Sequence, residues 1–324
     1  MDAVIIRNPI SGNPKKQRAF DRAVAAFREA GWQVAVWVTE YKGHSRELAE
    51  RAVQAGYKRI VIAGGDGSIG QAVDGLLKSG SSDVALGVIP LGTGNVFARE
   101  VGLPFPKRGC DDAPARAARI IIENDPVRVD VGRVDGNRFL CWAGVGLDAA
   151  ATCQVESHLE FKRRLPLFSY VVMVLRVLAA YQPKPTRITL EDGEVLAGSF
   201  PVVVVSNIQL YARYFRLAPA AKIDDGLLDL LVFEEQSKIS ILHQLFKVAL
   251  SPGAETRGIT RRSVRQVRIE TTPPQPYHLD GDPLGQTPIT IEVVPRGLLL
   301  HLDQQRSAHL FTSLLPSHSA HASL

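Results

Sequence analysis

Over the first 125 residues, short apolar runs alternate with stretches of helical period. Ala3 to Ile6, Gln33 to Val38, Ile60 to Ala63 and Val84 to Ile89 are apolar and short, as expected of buried strands. Between them lie amphipathic segments. Pro14 opens one with Phe20, Val24 and Phe27 on a single face, closed by Gly31. A second, Ser45 to Ala55, turns Leu48, Ala52 and Val53 inward and stops at Gly56. In a third, Ile69, Ala72, Val73, Leu76 and Leu77 fall on one face, with Ser68 as the expected N-cap. Asn95 can cap a short helix from Val96 to Val101, and another is expected from Ala115 to Glu123. Strand–helix alternation of this kind predicts a doubly wound, mostly parallel α/β sheet.

The texture changes near Pro126. Val127 to Val134 alternates, Asp135-Gly136 is a hairpin signal, and Arg138 to Ala143 alternates again. Further strands are expected at Arg187 to Leu190, Ser199 to Val205, Leu227 to Phe233, Val264 to Ile269, Ile289 to Val294 and Leu298 to Leu302. Helices at Leu167 to Tyr181 and Ile239 to Leu250 interrupt them. The expected organisation is an α/β domain over 1–125, a β-rich antiparallel domain over 126–302 and a mobile tail over 303–324.

Composition narrows the class. The 324 residues are 45% apolar and 22% charged, which suits ordinary globular domains with ample core. A formal charge of +5 is too weak to imply nucleic acid. Cys110, Cys141 and Cys153 are scattered, with neither zinc spacing nor an even disulfide framework, so a reducing compartment is expected. The first residues carry no basic n-region, and the apolar stretch Leu165 to Tyr181 contains Arg176 and is too short to span a bilayer. These features point to a cytoplasmic protein.

The candidate chemistry lies in turns after strands. In Gly64-Gly65-Asp66-Gly67-Ser68, glycines can take positive φ and let backbone amides approach an anion, and the following helix aims its N-terminus at the same turn. Asp66 would be repelled by phosphate unless it held water, a ribose hydroxyl or a cation such as Mg²⁺. Asn8-Pro9-Ile10-Ser11-Gly12 and Gly92-Thr93-Gly94-Asn95 also follow strands, and ligands of such sheets bind outside the carboxyl ends of strands. In the second half, Asp224-Asp225-Gly226 and Asp280-Gly281-Asp282 are acidic turns. Turn chemistry alone explains both, while an oxygen-ligand Mg²⁺ site would use the first and a general base the second.

These residues together resemble the diacylglycerol kinase catalytic-domain family, which includes bacterial lipid kinases and the sphingosine and ceramide kinases. The match runs in order through Asn8 to Gly12, Gly64 to Ser68, Pro90 to Asn95, Gly144-Val145-Gly146-Leu147-Asp148, Leu217-Ala218-Pro219-Ala220, Asp224 to Asp229 and Leu279 to Asp282. The resemblance implies an ATP site between the two domains and transfer of the γ-phosphate to a lipid hydroxyl, that of diacylglycerol or a related lipid. By residue-wise carry-over, Asn8, Pro9, Ser11, Gly12, Thr39, Gly64, Gly65, Asp66, Gly67, Ser68, Ile69, Gly92, Thr93, Gly94 and Asn95 line the nucleotide. Asp225, with the carbonyls of Lys222 and Leu227, matches the magnesium position, and Asp282 matches the general base, with Asp66 as its catalytic companion. Two residues depart from the family pattern: Ser68 replaces the usual Thr, and Asp282 replaces the usual Glu. The segment Tyr211 to Arg216 is also bulkier than the glycines often found there.

The lipid partner would be met at a membrane surface. Lys162-Arg163-Arg164 beside Leu165 to Met173 is either a docking element for anionic lipid or the start of a packed core helix. Arg257, Arg261, Arg262, Arg265 and Arg268 form a second cationic segment. Two rival readings stand beside lipid kinase: an enzyme like NAD kinase, which shares the Gly-Gly-Asp-Gly turn, and a catalytically weak nucleotide- or lipid-binding protein.

Overall fold

Four apolar runs pair side by side as parallel strands, each followed by a helix that covers a face. They are β1 (Asp2–Arg7), β2 (Gln33–Val38), β3 (Arg59–Gly64) and β4 (Ala85–Pro90), in spatial order β2-β1-β3-β4. The helices between and after them are α1 (Pro14–Glu29), α2 (His44–Gln54), α3 (Asp66–Lys78), α4 (Val96–Glu100) and α5 (Ala113–Glu123). This is a computed structural model, and it describes residues 2–9, 14–106, 112–157, 176–211, 215–235, 237–250 and 258–313. Because β3 and β4 are covered on both faces, nearly every side chain along them is buried, which is why they read as unbroken apolar runs.

The second half is antiparallel and contributes to two sheets. Its elements are β5 (Pro126–Val134), β6 (Asn137–Phe139), β7 (Trp142–Gly146), α6 (Leu147–Ser157), β8 (Lys184–Leu190), β9 (Val195–Phe200) and β10 (Val202–Ser206). There follow β11 (Leu210–Tyr211), β12 (Phe215–Arg216), β13 (Leu228–Phe233), α7 (Lys238–Leu250), β14 (Ile259–Val264), β15 (Gln266–Thr271), β16 (Pro276–Leu279), β17 (Asp282–Gln286) and β18 (Ile289–His301). Strands β14-β13-β10-β7-β16-β17 form a six-stranded sheet. Strands β18, β15, β8, β9, β5 and β6 instead extend the parallel sheet of the first half into a ten-stranded one. The join is β18, which lies parallel to β4 through Leu299↔Ala85 and antiparallel to β5 and β15.

Several boundaries differ from the expected ones, each for a local reason. The run Arg138 to Ala143 divides between β6 and β7, in different sheets, because the Asp280 carboxylate accepts the amides of Leu140, Cys141 and Trp142. Ser199 to Val205 breaks at Pro201, which has no N–H to give the ladder. Val264 to Ile269 divides between β14 and β15 at Arg265, whose amide donates to the Glu191 carboxylate at 2.8 Å. Conversely, the two strands expected between Ile289 and Leu302 are one, irregular in register between Val294 and Leu298. Of the helix expected at 167–181, only 176–181 falls among the described residues; 176–180 is helical and Tyr181 is not. On the expected tail, Leu310 and Phe311 are buried, the Leu310 carbonyl accepts the Ile223 amide, and Thr312 donates twice to Asp224; residues 314–324 lie outside those described.

Candidate active site

The carboxyl ends of β2, β1, β3 and β4 stand in a row and carry Thr39, Asn8, the Gly64–Gly65 pair and Leu91–Gly92. Backbone bonds tie these ends together. Thr39 N–H donates to the Arg7 carbonyl, Asn8 N–H to that of Ala63, and the amides of Leu91 and Gly92 both donate to that of Gly64. The Asn8 amide group then donates to Ser68 Oγ at 2.9 Å, which links the first turn to the second. Thr93 is exposed at the rim, and Pro9 is exposed beside Asn8. Ser11 and Gly12 lie outside the described residues.

The glycines serve closeness here, not left-handed backbone. None of Gly64, Gly65 and Gly67 has positive φ, contrary to the expectation from sequence. A Cβ on Gly92 would lie 2.5 Å from Gly65 Cα, and one on Gly64 would lie 2.8 Å from Ser68 Cβ. The two turns therefore touch backbone to backbone. Helix α3 also starts earlier than expected: Gly65 occupies the N-cap position and Asp66 is the first helical residue, so Ser68 is inside the first turn and caps nothing. The amides of Ser68 and Ile69 both return to the Gly65 carbonyl, and the Ile69 side chain is core.

Asp66 looks inward. Its Oδ1 accepts the Phe97 amide at 3.1 Å at the start of α4, and a Cβ on Gly94 would lie 2.8 Å from its Oδ2. Burial raises its pKa, and the amides of Val96, Phe97, Asn95 and Asp66 itself pull it back. This carboxylate holds the Gly92–Asn95 turn in place. Asn95 takes a left-handed backbone at φ 50° and closes that turn through its amide group, which donates to the Gly92 carbonyl at 3.0 Å.

From the other half of the chain, the β16–β17 hairpin reaches over this row. Asp280 and Gly281, both at positive φ, make its two-residue turn. Asp280 is half-buried, holds the three amides of 140–142, and has a pKa pushed up to about 6 by burial of its carboxylate, against the pull of those amides. Asp280 Oδ2 also lies 3.6 Å from where a Cβ on Gly70 would sit, and Asp282 faces the same helix one turn earlier. Its Oδ2 lies 3.6 Å from where a Cβ on Gly67 would sit, and its Oδ1 lies 3.8 Å from Lys42 Nζ. A partly exposed carboxylate therefore faces the first turn of α3 across a narrow gap. Lys42, in the loop after β2, was missed by sequence reasoning; its one signal was a basic residue four positions past a strand end in the row.

Lys222, Asp225 and Leu227 do not join this group. Buried Asp130 accepts the amides of Gly226 at 2.7 Å and Arg296 at 2.6 Å, so the acidic turn sits against the irregular stretch of β18. Arg128 bonds the carbonyls of Arg296 and Ser82, and Ser82 precedes β4, whereas the glycine turns follow it. The acidic turn is thus at the opposite end of the sheet. Its chemistry still suits a cation. Burial and the Asp224 charge raise the Asp225 pKa, and burial with the Asp225 charge pushes Asp229 up to about 6. The Lys222 ammonium is spent on the His309 carbonyl. Among the described residues no three His, Cys, Asp or Glu side chains gather as a metal site, so an ion there would lean on carbonyls and water.

The second cationic segment does not form one patch. Arg261 and Arg262 are on β14 and Arg268 on β15, in different sheets, and Arg262 pairs with Glu194 and Arg268 with Glu270. Arg257 and residues 162–164 lie outside those described.

Comparison with known proteins gives the family and the fold. The family model "Diacylglycerol kinase catalytic domain" matches residues 2–134, and the "YegS C-terminal NAD kinase beta sandwich-like domain" matches residues 142–302. A "Probable lipid kinase YegS-like" of Chromohalobacter salexigens is 33% identical over 279 residues, covering 86% of each chain. A "Diacylglycerol kinase" of Bacillus subtilis is 27% identical over 287 residues, covering 88% of this chain and 91% of its own. In fold, the chain is similar to the crystal structure of a putative diacylglycerol kinase from Bacillus anthracis, with a TM-score of 0.77 at 23% identity, covering 94% of this chain and 98% of that one.

Proposed function

Since the chain belongs to the diacylglycerol kinase catalytic-domain family of lipid kinases, we propose that it transfers the γ-phosphoryl group of ATP to the hydroxyl of diacylglycerol or a related lipid. The observation that carries this reading is the Asp282 carboxylate facing Gly67 across the gap above the glycine turns. Phosphoryl transfer asks mainly for positioning and charge stabilisation, and a carboxylate beside the phosphate supplies the proton acceptor.

The nucleotide would lie along the row of strand ends, against Asn8, Thr39, Ser68 and Thr93, with its phosphates at the touching Gly64–Gly67 and Gly92–Asn95 turns. The lipid hydroxyl would enter between Gly67 and Asp282. Its proton passes to Asp282, its oxygen bonds to the γ-phosphorus, and the bond from that phosphorus to the β-phosphate bridging oxygen breaks, releasing ADP. Lys42, beside Asp282, adds positive charge where the transferred group carries negative charge. Asp66 serves as a positioning residue in this scheme, because its carboxylate is committed to α4. Mg²⁺ arriving with ATP supplies charge neutralisation on the phosphates. A Mg²⁺ held by Asp225 and the carbonyls of Lys222 and Leu227 would brace the acidic turn.

Among the described residues no helix is long and apolar enough to cross a membrane. Because the acceptor of a lipid kinase belongs to a membrane, the enzyme would work from the cytoplasm as a peripheral protein at the inner face, drawing lipid from that surface.

The test is phosphorylation from radiolabelled ATP over a panel of lipids in mixed micelles with Mg²⁺, with Asp282→Asn and Asp282→Glu in parallel. One labelled lipid, lost in Asp282→Asn and kept in Asp282→Glu, is the expected result. ATP binding with no labelled lipid, unrestored by Asp282→Glu, would replace this reading with that of a nucleotide- or lipid-binding protein.

A further inference from the structure

Behind the β16–β17 turn, the structure buries a set of polar groups that the scheme above does not use. Asp148, in the first turn of α6, is buried, and so is His278 on β16. His278 Nε2 lies 2.7 Å from Asp148 Oδ2, and the Tyr211 hydroxyl donates to Asp148 Oδ1. On the other side of the ring, the Gly281 amide donates to His278 Nδ1 at 3.2 Å. An N–H donor at Nδ1 requires a lone pair there, so the proton of the neutral ring is on Nε2 and is given to Asp148. The chain of bonds ends at Gly281, the residue that immediately precedes Asp282.

Two observations show that the backbone is built around this pair. A Cβ on Gly144 would overlap both Asp148 Oδ2 and His278 Nε2, so β7 forgoes a side chain where they meet. The buried Asp148 carboxylate in turn takes both of its bonds from this set, one oxygen from His278 Nε2 and the other from the Tyr211 hydroxyl. The turn is thereby held from two sides. Asp280 fixes it to the amides of 140–142, and His278 fixes the Gly281 amide.

We propose that Asp148 and His278 form a positioning dyad that orients the Asp282 tip through the Gly281 amide, with Tyr211 anchoring the far oxygen of Asp148. The proposal rests on the reading of Asp282 as the proton acceptor. It states that a carboxylate one methylene shorter than the family's usual Glu is held in reach by a ring behind its turn. A positional error of ~1 Å at such a group can cost ~10²-fold in rate.

The two amide replacements of His278 separate positioning from packing. In His278→Asn the amide oxygen falls where Nδ1 was and still accepts from Gly281, although it cannot reach Asp148. Adding Asp148→Asn to it avoids an unpaired buried charge. In His278→Gln the longer side chain still donates to Asp148, while the acceptor for Gly281 is lost. The expected result is a kcat lowered about 10- to 100-fold in His278→Gln, with the KM for ATP and the melting temperature near wild type. The double variant Asp148→Asn/His278→Asn keeps the higher kcat even where it melts lower. The reverse order of kcat overturns the proposal, since a purely packing role would favour the variant that keeps the buried pair. Should neither variant fold, ¹⁵N NMR of His278 in the wild-type chain decides: a proton on Nε2 with bare Nδ1 supports the dyad, and a proton on Nδ1 refutes it. Asp282→Asn is the control. If it retains wild-type turnover, the acceptor assignment fails while the NMR result stands on its own; if it is inactive and His278→Gln is fully active, only the dyad fails.

Discussion

Substitution Gly67→Ala separates the chemistry of the site from its stability. Gly67 is the second residue of α3, without positive φ, and a Cβ there would have the Asp282 Oδ2 at 3.6 Å as its near neighbour. That is an ordinary contact distance, so the folded chain accepts the methyl without strain. Alanine is favoured over glycine within a helix by about 0.5–1 kcal/mol, so the variant should be as stable as wild type or slightly more so. For a chain of this size that amounts to at most about 2–4 °C in melting temperature. The methyl nevertheless fills the gap through which, in the proposed reaction, the lipid hydroxyl passes between the turn and Asp282. Reacting atoms must approach to about 3–3.5 Å, and a displacement of ~1 Å costs ~10²-fold. The expected outcome is turnover lower by about two orders of magnitude at unchanged stability, read from labelled-lipid formation beside a thermal melt. A Gly67→Ala enzyme that melts normally and turns over within about twofold of wild type would show that the acceptor does not pass between Gly67 and Asp282.

Gly92→Ala should fail differently, because its Cβ would meet the Gly65 backbone at 2.5 Å and one of the two turns must move; a loss of about 1–3 kcal/mol by denaturant titration is expected, with weaker ATP binding by calorimetry. Asp280→Asn offers one oxygen where the carboxylate satisfies three amides, leaving a buried donor unpaired; about 1–3 kcal/mol should be lost, and turnover with it, and an unchanged urea midpoint would count against this role. Glu100, buried at the end of α4, has its pKa raised from 4.5 to about 7 by burial, only partly offset by the Arg216 charge and the amides of Gln209 and Leu210. The folded chain therefore keeps a proton that the unfolded chain has lost between about pH 4.5 and pH 7, so this group's penalty is absent at the acid end and complete above pH 7. Glu100→Gln should remove it, stabilising the protein on the order of 3 kcal/mol at pH 8 and hardly at all at pH 4.5; equal gains at both would refute the assignment.

Much of the α/β half was legible because its signals are local. Apolar runs, helix faces and stop glycines lie within single segments, and β1 to β4 formed within about a residue of where they were expected. The grouping of Asn8, Gly64 to Ser68 and Gly92 to Asn95 followed from one rule about strand ends. What the sequence hid was decided across the chain. That Arg138 to Ala143 would divide between two sheets depends on Asp280, some 140 positions away. That Gly65 and Gly92 touch, and that glycine there serves contact instead of positive φ, depends on strands β3 and β4 being neighbours. Single-residue roles were the least legible. Nothing in Gly-Gly-Asp-Gly says that the carboxylate will turn toward α4, or that Lys42 will stand beside Asp282.

The three aspartates around the gap divide the work by burial. Asp66 and Asp280 are each committed to backbone amides, and burial raises the pKa of both. A carboxylate that already accepts two or three amides has little capacity left to receive a substrate proton. Asp282 is the carboxylate nearest solvent on the hairpin, with a side chain about one-third exposed, one oxygen 3.8 Å from Lys42 Nζ and the other toward Gly67. Its placement depends on the other two: Asp66 fixes the floor by holding α4 to the glycine turn, and Asp280 fixes the hairpin that carries it. Asp282 is delivered by the six-stranded sheet, through β16 and β17, while the glycine turns belong to the ten-stranded one. The gap between Gly67 and Asp282 is thus set by how two sheets pack, and β18, which follows directly on β17 and pairs with β4, ties one to the other. Lengthening residue 282 to Glu would therefore move the carboxylate relative to a fixed floor. If the shorter side chain is matched to this gap, Asp282→Glu should preserve the reaction class while changing its rate; a variant with no turnover at all would mean that the spacing tolerates only aspartate.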